Sequence, residues 1–429
     1  MEFNRTELMP GVFLSHLCSD KFKTACMSVT LLTQLRRETA AMNAVIPFVL
    51  RRGTTRYSDM EQLSRRMDEL YGAAVEPVVR RIGEIQCIGF YGSFPEPDYL
   101  PGGEALLGDT CALMAQLLLD PVTRGGLLLP QYVDSEREKL LDIIRSRMND
   151  KRSYALTRCI EEMCCYEDFA VSRFGSESEA ENIHYKKLTR HYRELIQTCP
   201  VEIFYCGKTD FKAVSAAMRD AFSAMPRGEI DYDIGTDLRM NAVEDHIRFV
   251  EEEMDVTQGK LVLGFRLGEC MEEPDIPALY VFNAVYGSGA TSKLFMNVRE
   301  KLSLCYYASS AVYLHKGIML VSSGIEFDKL DAARDEILAQ LDSVRRGEIT
   351  DDELRSAKKS VASDLRAVQD SIGELEGFYL SQALDGLRPG RACGAGRGRH
   401  EGGRSGYCRI DRVRPYILPQ GKRRGGRQR

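Results

Sequence analysis

The chain has 429 residues, 44% of them hydrophobic, and a formal net charge of −5. That length exceeds one ordinary core and predicts two or more domains, while no apolar run approaches the roughly 20 residues of a membrane span. The charge is uneven: residues 385–429 hold thirteen Lys/Arg against three Asp/Glu, so the rest of the chain carries about −15.

The thirteen cysteines are scattered, several in apolar runs (Cys26, Cys87, Cys111, Cys206). This predicts free buried thiols in a cytoplasmic protein rather than a disulfide framework. Neither Cys164-Cys165 nor the six histidines show metal-ligand spacing. The opening MEFNRTELMPGVFLSH has no basic segment followed by an apolar one, so no secretory signal is expected.

In chain order, MSVTLLTQL (27–35) predicts a strand and residues 38–52 a helix. The turn Gly53-Thr54 leads to an amphipathic helix over 58–72, two strands (74–82 and 84–94) and a helix near 104–120. Charged helices follow over 129–149 and 151–168, then a strand at VEIFYCG (201–207). The pattern then repeats: strand 260–266, helix 276–287, turn GSGAT, helix 292–302, strands 304–314 and 317–325, and a helix near 327–345. Residues 349–384 read as one further helix. Gly53 lies 18 residues before Tyr71, and Gly289 lies 17 before Tyr306. Alternating strands joined by short turns predict an α+β fold of two homologous domains, each an antiparallel sheet with helices on one face. The domains are expected over 1–195 and 196–384. Residues 385–429 hold eleven glycines and twelve arginines without apolar periodicity, and predict a disordered tail. The change in mid-domain fits a reading-frame shift in a GC-rich gene.

Other chemistry is poorly supported. GSGAT is too short for a dinucleotide loop, and there is no Walker lysine and no G-x-S-x-G elbow. The reading includes no cofactor, no membrane and no nucleic-acid partner.

The segment AMNAVIPFVLRRGTTRY (41–57) resembles the first helix of the insulinase/pitrilysin-type zinc metallopeptidases, where H-x-x-E-H precedes a [FL]-K-G-T turn. In that family the histidines bind zinc and the glutamate polarises water. Alignment on Gly53-Thr54 puts Ala44, Val45, Ile46, Pro47 and Phe48 on the motif. A later family helix supplies the third ligand seven residues after its first glutamate. Here Glu136-Arg137 opens that frame, position 143 is Ile, and Asp142 lies one residue off. The ligand positions Ala44, Phe48 and Ile143 offer no lone pair, so no metal is expected.

The stretch GSGATSKLFMNVREKLSLCYY (287–307) resembles the family's second-half motif, whose arginine and tyrosine hold substrate and stabilise the oxyanion. By position these are Arg299 and Tyr306, with no catalytic residue in the chain alone. The resemblance implies the inactive bacterial branch, a type associated with elongation factor P modification. It implies a non-catalytic subunit that pairs with a zinc-bearing paralogue as a heterodimer in peptide or protein processing. The alternative is a chamber-like binding or scaffold protein without peptidase activity.

Overall fold

The computed structural model describes residues 2–238, 247–267, 275–386 and 415–418. The chain begins with β1 (Glu2–Met9), β2 (Val12–Cys18), β3 (Thr24–Gln34), α1 (Ala40–Leu50) and α2 (Met60–Glu69). Next come β4 (Ala74–Ile82), β5 (Ile85–Pro95), α3 (Leu107–Leu119) and a small hairpin, β6 (Thr123–Arg124) with β7 (Leu127–Leu128). Four helices follow: α4 (Pro130–Ser146), α5 (Lys151–Met163), α6 (Glu177–Glu181) and α7 (Tyr185–Thr198). Then come β8 (Val201–Gly207), α8 (Phe211–Ala221), β9 (Gly259–Arg266) and α9 (Ile276–Tyr286). A π-helical segment, Leu294–Lys301, precedes β10 (Cys305–Tyr313) and β11 (Ile318–Ile325). The described chain closes with α10 (Leu330–Arg345), α11 (Asp351–Ala367), α12 (Ile372–Gly386) and β12 (Pro415–Leu418).

These elements form two compact units. The first takes the chain up to Arg145, then Val171–Thr236, then α12. Its sheet has the order β1-β2-β8-β3-β5-β4, antiparallel except for the parallel pair β2–β8. The main core lies on one face, where Met27, Val29 and Leu31 of β3 meet α1, α3 and α7. The opposite face is covered in part by α12. Its Leu375, Leu380 and Leu384 are 3–5% exposed and pack among Leu17, Leu32, Phe204 and Cys206. Each such burial contributes about 1.5–3 kcal/mol relative to exposure. Glu376 of α12 is also buried, accepting from Ser28 Oγ at 2.9 Å and from Arg80.

The second unit takes Ser146–Ala170, Asp237–Ala367 and β12. Its sheet has the order β10-β11-β9-β12. One face packs on α9, the π-helical segment, α10 and α11. The other receives α5, with Cys159, Ile160 and Met163 against Val262, Ile318 and Leu320. A buried ion cluster supports that packing: Glu167 meets Lys316 Nζ at 2.6 Å and also pairs with Arg266. Burial alone would raise the Glu167 carboxyl, but the bonds from Arg266 and Lys316 outweigh it and hold it below its ordinary value.

The internal repeat is visible in the strand orders. β3-β5-β4 in one sheet corresponds to β9-β11-β10 in the other. The expected α+β fold of antiparallel sheets with helices packed on them is present, and both sheets also carry a smaller core on the second face. The expected boundary at 195/196 falls just before β8. Every residue of β8 is buried, and β8 pairs with β2 on one side and β3 on the other, inside the first sheet. The single helix expected over 349–384 is broken at 368–371, where Ser371 Oγ accepts from Glu374 N–H to start α12. The disorder expected for 385–429 lies outside the described residues, except that α12 runs to Gly386 and residues 415–418 pair with β9.

Candidate functional site

In the first unit, α1 enters the core almost whole: of its eleven residues, only Phe48 is not fully buried. Pro47 lies inside the helix and has no N–H to give the Asn43 carbonyl, yet the turn closes behind it, with Arg51 N–H on the Pro47 carbonyl at 3.1 Å. The helix ends at Leu50, and the turn after it needs Gly53, where a Cβ would meet the Ser58 carbonyl oxygen at 2.7 Å. Thr54 is buried and locks the turn by exchanging backbone and side-chain hydrogen bonds with Tyr57.

The positions matched to zinc ligands do not fit zinc. Ala44 is fully buried among core side chains, Phe48 is half-buried, and Ile143 is half-buried on α4. A methyl, a phenyl ring and a sec-butyl group supply no donor. Asp142, the near miss, is exposed. Among the described residues, no three His, Cys, Asp or Glu side chains group to hold a metal ion.

What the helix carries instead is a neutral polar network. Asn43 is fully buried; its amide donates to Gln86 Oε1 at 2.9 Å, and its oxygen accepts from His191 Nε2 at 2.6 Å. Gln86 in turn donates to the carbonyls of Ala40 (3.0 Å) and Arg173 (2.7 Å). Burial lowers the proton affinity of His191, so it sits as a neutral ring with its proton on Nε2. None of these three residues was singled out from the sequence. The available signal was a lone polar residue inside an apolar run, as in AMNAVIP and EIQCIGF.

Glu136, which opens the third-ligand frame, is 5% exposed and neutralised from two sides. Arg52 donates at 3.0 Å and Lys139 at 2.7 Å. The Arg52 guanidinium also lies 4.9 Å from the Tyr132 ring centre. This carboxylate is a structural anchor between the end of α1 and α4.

In the second unit, Arg299 and Tyr306 sit on irregular backbone. Arg299 belongs to the π-helical segment, which starts after Ser292; the Ser292 hydroxyl accepts from Phe295 N–H at 3.3 Å. Its guanidinium lies 4.6 Å from the Phe295 ring centre and 3.6 Å from the Glu300 carboxylate, and its side chain is 41% exposed. Ser303 follows with φ of 51°, a left-handed conformation rarely adopted outside glycine. Tyr306 is the extra residue of a β-bulge: Cys305 pairs with Ile325 and Tyr307 with Gly324, leaving Tyr306 unmatched. It is 59% exposed, and its hydroxyl has no hydrogen-bond partner among the described residues. Arg299 and Tyr306 share a unit but make no direct hydrogen bond with each other.

The ten described cysteines are all free thiols. Burial pushes Cys87, Cys111, Cys199 and Cys206 up to about 12, which keeps them protonated and unreactive.

Residues 182–361 match the family model described as the peptidase M16 inactive domain. Over 383 residues the chain is 30% identical to the probable inactive metalloprotease YmfF of Bacillus subtilis, covering 89% of this chain and 88% of that one. A conserved protein from Enterococcus faecalis has a similar structure, with a TM-score of 0.84 at 23% identity, covering 99% of this chain and all of that one. The peptidase M16 inactive domain from Pseudomonas fluorescens gives 0.71 at 14% identity, covering 98% of both. With helix α1 closed to metal and relatives of this kind along nearly its whole length, the chain belongs to the M16 metallopeptidase family as an inactive, peptidase-like member.

Proposed function

We propose that this chain is the non-catalytic subunit of a two-chain peptidase. It pairs in the cytoplasm with a paralogue that bears the H-x-x-E-H zinc site, and it lends that site Arg299 and Tyr306. The observation that carries the reading is a contrast within one chain. The ligand positions 44, 48 and 143 hold side chains with no donor, while Arg299 and Tyr306 are exposed on a π-helical segment and a bulge. Such irregularities cost conformational energy and recur where a side chain must be aimed. A guanidinium keeps its charge and can grip a carbonyl, and a phenol adds a short hydrogen bond, so together they suit a developing oxyanion. The association with elongation factor P modification belongs to the same proposal and rests on family resemblance.

The test is co-purification from the source cell followed by mass spectrometry and peptide-cleavage assays of the reconstituted pair. The expected result is a zinc-bearing M16 partner and turnover that needs both chains. A zinc-bearing relative that is fully active without this chain would overturn the proposal. The remaining reading would then be a binding or scaffold protein.

A further inference from the structure

One end of the second sheet carries a polar arrangement that the packing does not need. On the face that receives α5, Tyr307, Gly324 and Lys260 form one row across β10, β11 and β9. Gly324 is what allows it. A Cβ there would meet the Tyr307 ring at 2.5 Å, so the missing side chain lets the ring lie across β11. Arg152, in the first turn of α5, sits with its guanidinium 4.2 Å from the Tyr307 ring centre and donates to Ser309 Oγ at 3.0 Å. Lys260 Nζ lies 5.8 Å from the same centre and donates to Gln258 Oε1, a neutral partner that leaves its charge uncompensated.

Two cations thus face one aromatic ring, and among the described residues no carboxylate is within ion-pair distance of either. Asp150 acts on both cations electrostatically, and its oxygens also cap α5. It accepts from Arg152 N–H and Ser153 N–H at 3.1 Å and from Ser153 Oγ at 2.6 Å. Burial, and then the charge of Arg152, depress the proton affinity of Lys260, with Asp150 opposing. Two cations against the single Asp150 carboxylate leave net positive charge at this partly buried surface, which an added anion would balance.

We infer that Arg152 and Lys260, set around Tyr307, form a site for the carboxylate of an acidic side chain on a bound peptide. The choice of a peptide rests on the proposed function, because Tyr307 directly follows Tyr306 in β10. The guanidinium and ammonium supply charge-assisted donors, and the ring supplies an apolar floor that limits competing water.

The test is fluorescence anisotropy on the full chain, without any partner, using two labelled ten-residue peptides that differ only in three central Glu or Gln residues. The Glu peptide is expected to bind at least about fivefold more tightly, with affinity falling as salt rises. Arg152→Gln and Lys260→Gln should each remove most of that preference, while Arg152→Lys should keep it. All variants are to be matched for melting temperature. Equal binding of both peptides, or a Glu preference untouched by both Gln variants, overturns the inference. So does displacement of the Glu peptide by low-millimolar inorganic phosphate, which would indicate a generic anion site. Loss of the preference in both Gln variants supports the site whatever Arg299→Ala does to turnover of a two-chain peptidase, a separate readout on which only the proposed function depends.

Discussion

Arg52 donates to Glu136 across 3.0 Å, tying the residue before the Gly53-Thr54 turn to the helix that would have supplied a third zinc ligand. With Glu136 only 5% exposed, Arg52→Ala should destabilise the first unit by about 2 kcal/mol, because Lys139 alone would face a buried carboxylate. Urea unfolding of Arg52→Ala and of Arg52→Ala with Glu136→Gln measures it. The double variant should recover part of the loss.

Restoring ligand residues should not restore a metal site. Ala44 is fully buried, so Ala44→His with Phe48→His forces an imidazole into a filled core at a cost of about 1–3 kcal/mol. Positions 47 and 143 would still lack carboxylates. Elemental analysis of the double variant should find no stoichiometric zinc, and its melting temperature should drop.

Glu202 lies in β8, and burial raises its carboxyl from 4.5 to about 7, with the Arg5 charge opposing. A carboxyl whose folded value is raised binds its proton more tightly in the folded state. Its contribution to stability is therefore complete below about pH 4.5 and lost as pH rises through 7. The shift corresponds to at most about 3 kcal/mol. Melting curves from pH 5 to 8 should fall more steeply for the native chain than for Glu202→Gln.

Glu376 should anchor α12 to the first sheet. Glu376→Ala leaves Ser28 and Arg80 without their acceptor and opens a cavity, at a cost of about 2–4 kcal/mol. Hydrogen exchange should show faster opening across 372–386, with the amides of β9 and β11 unaffected.

In a reconstituted pair with a zinc-bearing paralogue, Arg299→Ala or Tyr306→Phe should lower turnover by a factor on the order of 10²–10³ while leaving assembly intact. Size-exclusion chromatography and single-turnover cleavage separate the two effects. Unchanged turnover in both variants would mark the pair as structural.

The local elements around the site were legible because their signals are local. The apolar run before Gly53, the alternation of 74–82 and 84–94, and the repeat around 287–307 each specify one element. What could not be read was partnership. The seven residues of β8 are all buried and suit an interior position in either sheet, and only the pairing with β2 and β3 decides it. The strand β1 has no clear apolar alternation because EFNRTELM mixes charge through it, as befits an edge strand. Residues 292–302 carry an ordinary helical pattern, and nothing in it announces the wider π turns. The Asn43–Gln86–His191 network joins residues 43 and 148 apart, a relation no short motif can express.

The placement of α12 has a consequence for how the protein is made. Ser28 and Glu376 are 348 positions apart, yet they meet in one buried hydrogen bond of the first sheet. A ribosome finishes β3 long before it reaches α12, so the second face of the earliest sheet waits uncovered through most of synthesis. Likewise α5 emerges well ahead of β9 and β11, the strands it covers. Neither unit can reach its final form as a nascent fragment. A premature stop before residue 372 should therefore expose the beginning of the chain, not its end, to proteases and aggregation.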